Sequence, residues 1–157
     1  MTFRPLVALA ALSLAACAPA LIPGTNVEDT RGSREVYGVI KAYAEALQRK
    51  DAPAVLALVA PDYFDSAGTP TPDDDMDRAA LERSLATDLA KVDSFKVQIG
   101  VKAIAVNAEQ TQAQAQLYYD GYFRVITPNG PVAKRESDLH QMTFRKIGLD
   151  WKITSGL

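Results

Sequence analysis

Between residues 33 and 50 the apolar side chains Val36, Val39, Ile40, Tyr43, Ala44 and Leu47 recur three and four positions apart. That spacing places them on one stripe of an α-helix. Ser33 stands where a capping hydroxyl is needed, and Glu45 and Arg49, four apart, pair on the opposite side. Asp51 restarts a short helix in which Pro53 is tolerated in the first turn. Val55, Leu56 and Val59 face inward, and Pro61 stops the helix. Residues 62–65, with Tyr63 and Phe64, form a short extended piece before the loop SAGTPTPDDD. A third helix is predicted from about Met76 to Lys91, burying Leu81, Leu85, Leu89 and, at its end, Val92.

From Ser94 the period drops to two. Phe95, Val97, Ile99 and Val101 alternate with other residues, then Ile104 and Val106 fall out of step, which predicts a β-bulge near Lys102. Residues 107–110 turn. Residues 111–126 form a long strand whose odd positions, from Ala113 and Ala115 through Leu117 and Tyr119 to Phe123 and Val125, are mostly apolar. Thr127-Pro128-Asn129-Gly130-Pro131 is a turn, residues 132–146 return, the chain turns again at Gly148, and residues 151–157 close the sheet. Three helices followed by about four mainly antiparallel strands predict an α+β domain.

Charge narrows the class of partner. The chain carries 17 Lys and Arg against 19 Asp and Glu, and no basic run exceeds Lys134-Arg135. Nucleic acid demands a concentrated positive face, so it is excluded as a partner. Neither an internal repeat nor a Gly/Ser linker divides the body of the chain, which makes one domain.

The first residues follow another pattern. Arg4 precedes an apolar run of eleven residues, 6–16, interrupted only by Ser13, and Ala15 and Ala16 stand directly before Cys17. A membrane span needs about 20 residues, so this run has instead the length and flanks of a secretory signal. Leu14-Ala15-Ala16-Cys17 resembles the lipobox of bacterial lipoprotein signal peptides. That resemblance implies cleavage before Cys17 and lipidation of its sulfur and amino group. It divides the chain into a signal (1–16), a lipidated flexible tether (17–32) and a folded domain (33–157). Cys17 is the only cysteine, so no intramolecular disulfide is available to it. Several acyl chains hold a protein to a bilayer without spanning it. Ala18 follows the cysteine, where an aspartate would imply retention at the inner membrane. The expected location is therefore the cell envelope, at the outer membrane facing the periplasm.

The order of elements, Tyr43 in the first helix, the stretch RKDAPAVLALVAPDYF and the terminal LDWKITSGL together resemble the nuclear transport factor 2-like (SnoaL-like) superfamily. The resemblance covers residues 34–157. It implies a cone, a strongly curved sheet wrapped on the helices and open at one end. Members of that superfamily include isomerases, dehydratases and cyclases, and also domains that only bind or assemble, so function has to rest on the site.

Candidate chemistry centres on the one histidine. Asp138, His140, Met142 and Phe144 share a strand face, and the apolar pair turns that face into the cone. His140 is then a candidate general base oriented by Asp138, with Tyr63, Tyr119 or Tyr122 polarising a bound oxygen. The alternative is a histidine satisfied by a tyrosine or carboxylate within the core. Tyr43, Tyr63, Tyr119, Tyr122, His140, Met142 and Trp151 are the candidate pocket residues. Asp73, Asp74, Asp75 and Asp77 begin like a calcium loop, but Arg78 stands where glycine is needed and Ser84 where a bidentate glutamate belongs. A helix cap and the positive end of the helix account for them instead, so no metal is assigned. No motif for a cofactor is present. The sequence reading is a lipid-anchored domain binding a small apolar ligand or an envelope protein. An acid–base lyase or isomerase is the alternative, and a homodimeric structural module paired through the sheet is a third.

Overall fold

The computed structural model describes residues 19–157, so the lipobox and Cys17 lie outside the described residues. Helix α1 (Arg31–Gln48) begins earlier than the periodicity predicts, because Thr30 and not Ser33 is its N-cap. The Thr30 hydroxyl accepts from the Ser33 N–H at 3.1 Å, and the Ser33 hydroxyl accepts from the Thr30 N–H at 2.9 Å. This reciprocal capping box satisfies two donors that the first turn of a helix leaves without partners. Residues 20–30, expected as part of a flexible tether, are packed as well. Asp29 N–H donates to Ala20 O at 2.7 Å, Leu21 and Glu28 form an antiparallel bridge, and Ile22 and Val27 are buried. Burial of such aliphatic side chains contributes about 1.5–3 kcal/mol each, enough to hold a short turn against the body.

Helix α2 (Ala52–Leu58) is capped by Asp51, whose carboxylate accepts from Ala54 N–H at 3.0 Å. Strands β1 (Phe64–Asp65) and β2 (Met76–Asp77) pair with each other. Met76 is therefore extended, and α3 (Arg78–Lys91) starts two residues later than expected, with Asp77 as its cap. Of the leucines assigned to the buried face of α3, Leu81 is buried while Leu85 and Leu89 are only partly covered. Val92 belongs to the next strand and not to this helix.

Strands β3 (Val92–Val106), β4 (Gln112–Thr127), β5 (Gly130–Ile147) and β6 (Asp150–Ser155) form one antiparallel sheet in chain order. The register shifts between Val101 and Ala103, where the broken alternation predicts a bulge, and again between Val92 and Ser94. Bulges bend a strand and increase its twist, and here they curl the sheet around the helices. Its inner face supplies Ala113, Ala115, Leu117, Met142, Phe144, Trp151 and Ile153 to a core completed by Val36, Ile40, Tyr63 and Leu81. Beyond the helices the hairpin of β4 and β5 continues outward, and every residue from 131 to 139 is exposed.

Candidate functional site

Curvature leaves a cleft of about 790 Å³ between the second half of α1 and the sheet. The helix contributes Tyr43 and Leu47, one turn apart; β3 contributes Phe95; β4 contributes Tyr119. Strand β5 crosses the opening with Glu136, Asp138 and His140, which alternate onto the inner face. In the ladder His140 stands opposite Leu117 and Asp138 opposite Tyr119. The imidazole stacks on the Tyr119 ring, with centroids 6.0 Å apart and planes 30° from parallel. His140 also borders a second cleft, of about 610 Å³, with Asp65, Met76 and Gly156.

Gly121 shapes this site, and it was not among the residues singled out from sequence. A methyl at that position would overlap the Tyr119 hydroxyl and ring edge, so the ring lies back along its own strand over the glycine. The signal was present: a glycine inside a long strand often marks a close approach.

Tyr43 is half-buried, and burial pushes its pKa well above the usual tyrosine value, with Tyr119 and Tyr63 adding to the rise. Burial also raises the Tyr119 pKa, reinforced by the negative charges of Glu136 and Asp120. Among the described residues neither hydroxyl has a hydrogen-bond partner. Both are free for a ligand.

The remaining candidates divide. Asp138 and His140 share a face as expected, but successive side chains on one face stand about 7 Å apart, and no hydrogen bond joins these two. Asp138 instead accepts from the Leu139 N–H at 2.7 Å. Tyr63 is in the core, its hydroxyl accepting from Leu157 N–H at 3.1 Å and its pKa pushed up to about 12 by burial. Met142 is wholly buried in the main core and outside the lining. Trp151 is buried beside α1, its indole N–H donating to Glu35 at 2.9 Å, and lies outside the lining. Tyr122 is turned to the outer face, 45% exposed, with the Arg135 guanidinium 4.7 Å above its ring. Even positions of β4 point away from the cone while Tyr119 points in. Of the acidic loop, Asp77 caps α3 and Asp74 accepts from the Thr69 hydroxyl at 2.7 Å.

No protein-family model matches the chain, and no curated protein matches it. Solved structures do. A ketosteroid isomerase-like protein from Erwinia carotovora atroseptica superposes with a TM-score of 0.66 at 18% identity, covering 82% of this chain and 95% of that one. A candidate scytalone dehydratase from Novosphingobium aromaticivorans gives 0.63 at 15% identity, over 79% and 80%. A candidate dehydratase of the nuclear transport factor 2-like family from Streptomyces avermitilis gives 0.61 at 17%, over 80% and 93%. Likeness at this level is likeness of backbone: three helices on a curved antiparallel sheet of four strands, the nuclear transport factor 2-like fold.

Proposed function

We propose that the chain is a lipid-anchored envelope protein whose cone binds a small, mainly apolar ligand without transforming it. One observation carries the binding part: an open cleft walled by aromatic rings holds two tyrosine hydroxyls that no protein group uses. Each phenol can donate to a ligand oxygen, a bond worth about 0.5–1.5 kcal/mol net. The same cleft is poorly arranged for proton transfer. No hydrogen bond joins Asp138 to His140, so the imidazole has no carboxylate to set its tautomer. The names of the structural neighbours point to isomerase and dehydratase chemistry in those proteins. Identities of 15–18% carry over the cone and not a reaction.

The test is a screen of small carbonyl and hydroxy compounds for binding and turnover, with wild type and His140→Gln side by side. Binding without turnover is expected, with His140→Gln altering affinity slightly. Turnover that falls at least about a hundredfold in His140→Gln would establish the lyase or isomerase alternative instead. A second reading, pairing of two copies or of an envelope protein through the sheet, draws support from Tyr118 and Leu139. They face each other on the outer side at 42% and 53% exposure.

A further inference from the structure

We propose that the ligand the cleft accepts is a small organic cation, its ammonium group seated on the Tyr119 ring between Glu136 and Asp138. The inference rests on the binding reading above and names the ligand's chemical class.

The ladder supplies the geometry. Asp138 is directly opposite Tyr119, and Glu136 is directly opposite Gly121. Because the Tyr119 ring lies back over Gly121, it spans the two ladder positions that face Asp138 and Glu136 on the neighbouring strand. All three side chains belong to the inner face and to the same cleft. A cation over a phenol ring is attracted by its negative π face, and flanking carboxylates add to that attraction.

Charge accounting points the same way. Other acids of this hairpin region are paired: Asp120 receives two bonds from Arg135 at 3.0 Å each, and Asp93 pairs with Arg124. Glu136 and Asp138 form no ion pair with any described residue. The nearest basic position on their face, Lys134, stands opposite Phe123 and outside the cleft lining. Arg135 borders the cleft, but its charge is committed to Asp120. The field of Glu136 already reaches the Tyr119 hydroxyl, where it helps to hold the proton on the phenol. Tyr43 and Phe95 complete an aromatic wall. Two uncompensated acids at an aromatic cleft select positive charge and repel anions.

Calorimetric titration of the purified full chain with choline and with its uncharged isostere 3,3-dimethylbutan-1-ol tests the proposal. Choline is expected to bind at least about tenfold more tightly, a preference that shrinks as salt is raised. The double variant Glu136→Gln/Asp138→Asn is expected to abolish the preference by weakening choline at least about tenfold. Asp150→Asn, which removes an exposed charge at the start of β6, is expected to leave the preference intact. Equal affinity for the two probes, or a preference surviving in the double variant, would overturn the cation assignment and leave the binding reading standing. If neither probe binds, both fall.

Discussion

Glu35 shows how much one side chain can organise. Its carboxylate accepts from Lys146 at 2.8 Å, from Arg31 at 2.9 Å and from the Trp151 indole at 2.9 Å. Those bonds, the lysine's first, hold its pKa down to about 2 from an ordinary 4.5. The folded value lies below the unfolded one, so the carboxylate contributes stability above about pH 4.5 and loses it as pH falls toward 2. Thermal melts across that window should show the wild-type midpoint dropping on acidification and Glu35→Gln flattening part of the drop. An equally steep acid limb in the variant would mean the charges are screened by solvent. At Gly121, an added methyl displaces the Tyr119 ring end, which can swing away. Gly121→Ala should therefore cost no more than about 1–3 kcal/mol in denaturant unfolding while weakening ligand binding sharply. Loss of stability with unchanged binding would separate the glycine from the site.

Among the elements, β6 is the closing strand and Trp151 its anchor. The side chain is 4% exposed, packs in the main core and is bonded to α1 through Glu35. Trp151→Ala should cost about 3–5 kcal/mol, read from the shift in a urea midpoint. A midpoint that barely moves would contradict the burial. For α1, Thr30→Ala should cost about 1 kcal/mol and lower the protection of the first-turn amides in hydrogen exchange. Ser33 alone suggested the cap because the apolar stripe begins near it; the true start depends on how Glu28 to Thr30 are held. The Ser33 hydroxyl donates to the Glu28 carbonyl at 2.5 Å, a contact that exists only once the preceding turn has packed.

Taken whole, the molecule is a cone with an exposed hairpin, and among the described residues no helix is long and apolar enough to cross a membrane. The proposed attachment depends on Cys17 alone, since no other thiol exists in the chain. Growth with radioactive palmitate should label the wild type and leave Cys17→Ser unlabelled and released from the membrane fraction. An unlabelled wild type would sink the anchor. Pairing through the outer face is also a property of the whole molecule. Sedimentation of wild type against Leu139→Ser would reveal it as a concentration-dependent dimer lost in the variant.

The amino-acid sequence by itself determined the order and kind of the long elements, though not the two-residue strand β2, because hydrophobic period is a local property: 3.6 residues across α1, two across β3 to β5, and a skipped step at the Lys102 bulge. It also placed Asp138 and His140 on one inward face, since alternation along a strand is local too. Which tyrosines meet them was decided by tertiary structure. Alternation already separates Tyr119 from Tyr122, three positions apart on one strand, but the burial of Tyr63 and Trp151, with bonds to Leu157 and Glu35, exists only across the fold. Ile22 and Val27 are buried although they lie five apart in a stretch with neither helical nor strand periodicity, so no local pattern distinguished a packed turn from a tether. A cleft is space left over when elements from all parts of the chain have packed, and its lining follows from curvature and register together.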